Sequence, residues 1–277
     1  MSRFWVRGAL YLACVFSASV PLGDAYSGSI DEFLVDQGCA VGPTTMLSAT
    51  TAKIDPKIIE KLKAEANADD KTLKTGDWIV LSQDRCRIQP PMVISEIAVG
   101  DLEVVQNTST ITEHEEDRFK GCYLNGSSLF EALQTSRGWL PKKANQEYLR
   151  FLSAGLVSGD LSFFSPDPLR TPPGFMVTRG DCADVPQMLD VKKSHELLLQ
   201  NFGALIRADA AGEATCESLG FPSWKFSEVS ERILGGKAPN AWIGYEIRFI
   251  AMGAGWAEGL SSTQKGRPRP PLCRYAN

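Results

Sequence analysis

Apolar residues fall at helical spacing in several stretches of the chain, separated by glycine- and proline-rich breaks. Ser29-Ile30-Asp31-Glu32 has the form of a capping box; Phe33, Leu34 and Gln37 follow it and Gly38 supplies a stop, which predicts a short helix ending before Cys39. Asp55-Pro56 is a strong helix start, and Ile58, Ile59, Leu62 and Ala66 form one apolar face behind it. Ser127 caps a helix carrying Leu129, Phe130 and Leu133; Asn145 caps another carrying Tyr148, Leu149, Leu152 and Leu156. The longest amphipathic pattern, Leu197, Leu198, Phe202, Leu205 and Ile206, begins behind Ser194.

Strand signals are shorter. Trp78 to Leu81 after Gly76-Asp77 reads as a buried strand, and Val93 to Val105 as strands turning at Gly100-Asp101. Ile243, Tyr245, Ile247, Phe249 and Ala251 alternate with Gly244, Glu246, Arg248 and Ile250, which predicts a strand, with a buried helix as the alternative. Residues 106–121 are polar and read as a loop; Ser165 to Gly174 holds four prolines and cannot be helical. Gly220 to Pro222 marks another break, and a basic, proline-rich tail starts at Ser261. The expected fold is α+β: one helix-rich domain over residues 26–277, with a small sheet and long disulfide-tied loops. A split at residues 140–145, where Pro141-Lys142-Lys143 interrupts the pattern, is the alternative.

The N-terminus changes the picture. Arg3 and Arg7 precede an uncharged run from Gly8 to Leu22, too short to span a bilayer and followed by Gly23 and Ala25. This is the pattern of a secretory signal peptide, residues 1–25, with a second cut compatible after Ser19 and retention as an anchor as the other outcome. Cys14 follows Leu12 and Ala13, but Tyr11 and the short preceding segment fit a lipoprotein site poorly. Composition is that of a globular chain: 277 residues, 43% hydrophobic, 22% charged. A net charge of −4 argues against nucleic acid as a partner, which calls for a clustered basic surface. Beyond the leader no apolar stretch reaches membrane-spanning length, so no integral span is expected once it is removed.

Export makes the cysteines structural. Cys39, Cys86, Cys122, Cys182, Cys216 and Cys273 remain after the leader, an even number without C-x-x-C spacing, and are expected to pair as disulfides in an oxidising compartment. Spacing leaves their connectivity open, with Cys39–Cys86 and Cys182–Cys216 as the neighbour pairings.

Candidate chemistry is sparse. With only His114 and His195, a histidine-rich zinc site is excluded by count. Glu113-His114-Glu115-Glu116-Asp117 reads as a solvated acidic run, with ligation of calcium or a transition metal as the alternative if the backbone folds around the cation. Gly126-Ser127-Ser128 lacks the closing glycine of a nucleophile elbow. Gly253-Ala254-Gly255-Trp256 is followed by Gly259 one place late for a dinucleotide loop, which leaves a packing or turn role. Trp78, Trp139, Trp224, Trp242 and Trp256 are scattered as core and loop anchors, with sugar stacking as the functional alternative. Arg267-Pro268-Arg269-Pro270-Pro271 reads as a polyproline ligand segment or, if Cys273 is bridged, a strap on the body. Paired carboxylates for glycoside cleavage cannot be ranked without distances.

Gln37-Gly38-Cys39-Ala40-Val41-Gly42-Pro43-Thr44-Thr45 resembles papain-like bacterial peptidases over nine residues, departing by the insertion of Ala40-Val41 and by the closeness of Gln37 to Cys39. The resemblance implies a Cys39 nucleophile, for which His195 would be the base and Asp209 its orienting carboxylate. The leading expectation is a non-enzymatic secreted or periplasmic binding or accessory protein, its partner a small molecule or an envelope or extracellular protein. The alternative is an extracytoplasmic hydrolase centred on Cys39. No cofactor or metal is assigned.

Overall fold

The computed structural model describes residues 24–111, 120–212, 224–259 and 266–273. Most of the expected leader, the acidic run with His114, and Cys216 lie outside them. Helix α1 (Asp24–Asp36) ends at Gly38 and Cys39, both at positive φ (68° and 57°), and leads into β1 (Ala40–Val41) and α2 (Thr45–Thr51). Helix α3 (Pro56–Ala68) starts as its sequence dictates, with the Asp55 carboxylate accepting the Lys57 N–H at 3.0 Å. Strands β2 (Leu73–Thr75) and β3 (Trp78–Val80) complete an antiparallel sheet ordered β1-β3-β2.

The segment from Val93 is not a hairpin. It has no regular secondary structure, bends at Glu96, turns at Val99–Gly100 and enters a short helix, α4 (Leu102–Gln106); the Asp101 carboxylate accepts the Ala98 N–H at 3.0 Å and anchors the turn. Nor are residues 106–121 all loop: β-branched residues in β4 (Thr108–Ile111) pair with β5 (Gly121–Leu124). Helix α5 (Gly126–Ser136) is capped by Asn125, whose side chain accepts the Ser128 N–H at 3.1 Å, two residues before Ser127.

Pro141 begins rather than interrupts a helix. Proline at the first helical position loses no needed donor, so α6 runs Pro141–Ser158 with Asn145 inside it. Then come β6 (Leu161–Ser162), β7 (Phe175–Val177) and α7 (Met188–Gly212), which begins before Ser194 and buries that residue to 1% exposure. Helices α8 (Trp224–Ile233) and α9 (Ile243–Gly253) precede β8 (Ala257–Glu258) and β9 (Arg267–Pro268).

Residues 243–251 are helical because their polar members are buried too. Glu246 accepts from Ser162 Oγ (2.9 Å) and Phe163 N (2.7 Å), and Arg248 forms a two-pronged ion pair with Asp209 of α7 at 2.7 and 2.8 Å. An alternation of apolar and polar residues predicts a strand only if the polar ones face water; here both find partners indoors. Helices α6 and α9 approach closely at small residues: a Cβ on Gly253 would lie 2.3 Å from Ser153 Cβ, and Ser153 Oγ donates to Ile250 O at 2.8 Å.

One core joins residues from Ile30 to Leu272, and the architecture is α+β, helix-rich, with small antiparallel sheets. The proline-rich tail is a strap. Pro268 to Cys273 is buried, and Arg269, 4% exposed, donates to Gln37 O and Gly255 O at 3.1 Å while stacking on Trp78 at 4.8 Å.

Candidate functional site

The second sheet, ordered β4-β5-β7-β6, has two unlike faces. Strand alternation turns Tyr123 and Met176 toward Met188 and Val191 of α7 in a small closed core. The opposite face presents Thr110, Cys122 and Val177, aligned by the pairings Thr110↔Cys122 and Cys122↔Val177. Across from it stands α6, with Phe151, Ala154 and Val157, and between them opens a cleft of about 960 Å³. Ala154 keeps α6 low on the cleft side, where a larger residue would fill the space, and Gly155 lets the helix pack on Leu161, whose Cγ would lie 2.6 Å from an added Cβ. Cys122 is bonded to Cys182 across a Cα separation of 5.5 Å, which ties the sheet to the 3₁₀ turn Gly180–Ala183 at the cleft floor.

The third wall is the irregular segment from Pro91 to Gly100, and polar contacts pin it. Arg137, just beyond α5, donates to Glu103 Oε1 (3.0 Å), Asp101 Oδ2 (2.6 Å) and Glu96 O (2.9 Å). With Arg137 and Ser136 both donating to it, the Glu103 carboxyl is held down to about 2. Glu96 N donates to Glu147 of α6 at 3.2 Å, and Met92 N to Asp36 of α1, whose carboxyl burial pushes up. A segment without secondary structure thereby becomes a wall.

One end of the cleft is charged. Asp160 and Arg179 form an ion pair there, with the Arg179 side chain 66% exposed, and Thr178 Oγ1 donates to Gly159 O beside it. Behind this end Glu246 is buried; burial raises its pKa, opposed by the bonds from Phe163 N, Ser162 Oγ and Asn240 and by the nearby His195. Apolar Met92 and Val105, 75% and 57% exposed, line the cleft as well.

The structure does not assemble the nucleophile suggested by the peptidase-like stretch. Cys39 is 1% exposed and its Sγ is bonded to Cys86, so it presents no thiol. His195 is bonded instead through Nε2 to Val157 O (3.0 Å), and Asp209 is committed to Arg248. Cys273 is also disulfide-bonded.

Gly126-Ser127-Ser128 opens α5, and Gly253 serves close packing. Trp256 is buried and donates to Asp36 O at 2.6 Å; Trp139 lies under Arg137 and Lys143; Trp242 packs on Tyr245 at 4.9 Å. Among the described residues, no group of three His, Cys, Asp or Glu could hold a metal ion, and no helix is long and apolar enough to cross a membrane. Sequence reasoning missed the residues that line the cleft, because small and β-branched residues carry no motif until a sheet and a helix set them face to face. Compared with known proteins, the chain matches no family model, no curated protein and no solved structure.

Proposed function

We propose that this chain is an extracytoplasmic binding protein, exported by the leader at residues 1–25, that holds an amphiphile with one apolar chain and a polar head in the cleft between α6 and the second sheet. The observation that carries the reading is a volume of about 960 Å³ with largely apolar walls and a single charged pair, Asp160–Arg179, at one end. Pockets for small molecules have this character: apolar burial supplies affinity, and a few polar groups fix orientation. The chain would lie against Phe151, Ala154, Val157 and Val177, and the head would bond to the ion pair. Disulfides support the compartment, since they persist where the surroundings are oxidising.

Displacement of 1-anilinonaphthalene-8-sulfonate by dodecanoate and by 1-dodecanol tests this. Saturable displacement is expected for the native protein, and Ala154→Trp, which fills the cleft from a half-buried position, should weaken it tenfold or more with helix content unchanged. No saturable displacement, or equal displacement by the Trp variant, overturns the reading.

A further inference from the structure

A second cavity, of about 560 Å³, opens where the first turns of α5 meet α6 near Asn145 and Tyr148 and the Pro173–Phe175 segment. Three kinds of group line it. The first is hydrogen-bond donors: the first-turn N–H groups of Gly126 and Ser127 have no partner within their own helix. Asn145 belongs with them. It is 8% exposed, lines the cavity, and its Nδ2 has no hydrogen-bond partner, a state that costs about 1–3 kcal/mol in a buried group unless a ligand relieves it. The second is an acceptor, the carboxylate of Glu131, which helical spacing places on the same face as Ser127 and Phe130. The third is apolar: the rings of Phe130, Tyr148 and Phe175.

Gly126 shapes the site. A Cβ there would lie 2.1 Å from the Tyr148 hydroxyl, so only glycine admits that hydroxyl over the start of α5. Phe175 is held from behind by Phe163 and Phe249, with ring centroids 5.1 and 5.2 Å away.

The mixture selects the ligand. A small anion would suit the helix start but would meet the Glu131 carboxylate; a purely apolar molecule would leave Asn145 buried and unpaired. A hydroxyl both donates and accepts, and a sugar ring offers an apolar face to aromatic side chains. We propose that this cavity is a saccharide site, taking a neutral, hydroxyl-rich ring between the N-terminus of α5, Asn145, Glu131 and the three aromatic rings.

The test is a titration of the ¹⁵N-labelled, oxidised protein with glucose, N-acetylglucosamine and cellobiose, and separately with sodium phosphate and sodium acetate, following the Gly126, Ser127 and Asn145 side-chain amide signals. Saturable shifts with at least one saccharide and none with either anion are expected. Asn145→Leu removes the unpaired Nδ2 donor, so its melting temperature should hold or rise while saccharide affinity falls at least tenfold. Glu131→Ala, at an exposed position, should weaken saccharide binding without touching the core. The proposal is overturned if no saccharide of the panel shifts these signals, if phosphate or acetate shifts them alike, or if both variants bind as the native protein does.

Discussion

Two small antiparallel sheets in this molecule are each tied by a disulfide, one at Cys39–Cys86 and one at Cys122–Cys182, and they end in opposite conditions. The first is closed. The strap from Pro268 to Cys273 lies over it, Arg269 bonds to the carbonyls of Gln37 and Gly255, and a pocket of only about 160 Å³ remains beside Trp78. The second keeps a face open toward α6 and encloses about 960 Å³. The covalent device is the same; what differs is whether another segment of chain covers the face. A cross-link holds a sheet in place, but a cleft exists only where packing stops short.

The largest test removes the cross-links one at a time. Their sequence separations of 47 and 60 residues give each a stabilisation of about 4 kcal/mol on the chain-entropy estimate. Guanidinium unfolding should therefore show similar losses for Cys39→Ala/Cys86→Ala and Cys122→Ala/Cys182→Ala, while only the second pair of changes should weaken binding of dodecanoate. If both pairs weaken it equally, the two regions are not independent.

Next is the strap. Arg269→Met strands the Gln37 and Gly255 carbonyls in a buried place and should cost about 2 kcal/mol, seen as a lower denaturation midpoint. Burial holds the Arg269 guanidinium down to about 10, still charged at neutral pH, so the loss should be constant from pH 5 to 8.

A smaller effect, about 1 kcal/mol, is expected at the partly exposed wall of the open cleft for Glu103→Gln. Because the native pKa of Glu103 lies near 2 and its ordinary value is 4.5, the native advantage is complete above pH 4.5 and fades as pH falls toward 2. Melting curves of native and variant proteins should converge over that interval; a constant gap would mean the carboxylate charge is irrelevant to the wall.

The smallest change is expected at Glu246, and its sign is reversed. Burial raises this carboxyl above its ordinary 4.5, so the folded state favours the protonated form and stability from this group declines as pH rises through 4.5 toward the higher native value. Glu246→Gln keeps an oxygen for Ser162 and Phe163, and should match the native protein at pH 4 and equal or exceed it at pH 8. A variant less stable at pH 8 than at pH 4, relative to the native protein, would show that the charge is stabilising.

Helix starts were legible where a local rule governs them. Asp55-Pro56 and the Gly38 stop act within one turn, and the structure follows them. Asn145 and Ser194 misled because a capping side chain is also an acceptable interior residue once tertiary packing surrounds it. Residues 243–251 misled for the same reason in a stronger form, since Glu246 and Arg248 are polar by type and buried by partnership. The cleft had no signature: Thr110, Val177 and Ala154 acquire meaning only across from each other.

Sequence alone determined the helix-rich α+β character and several helix starts, because local periodicity and residue chemistry act over a few positions. Only tertiary structure decided which sulfurs meet, that Cys39 is covalently occupied, that the tail covers one sheet, and that the other sheet faces empty volume. Those outcomes depend on residues tens to hundreds of positions apart coming together, and no short window of chain contains both sides of such a contact.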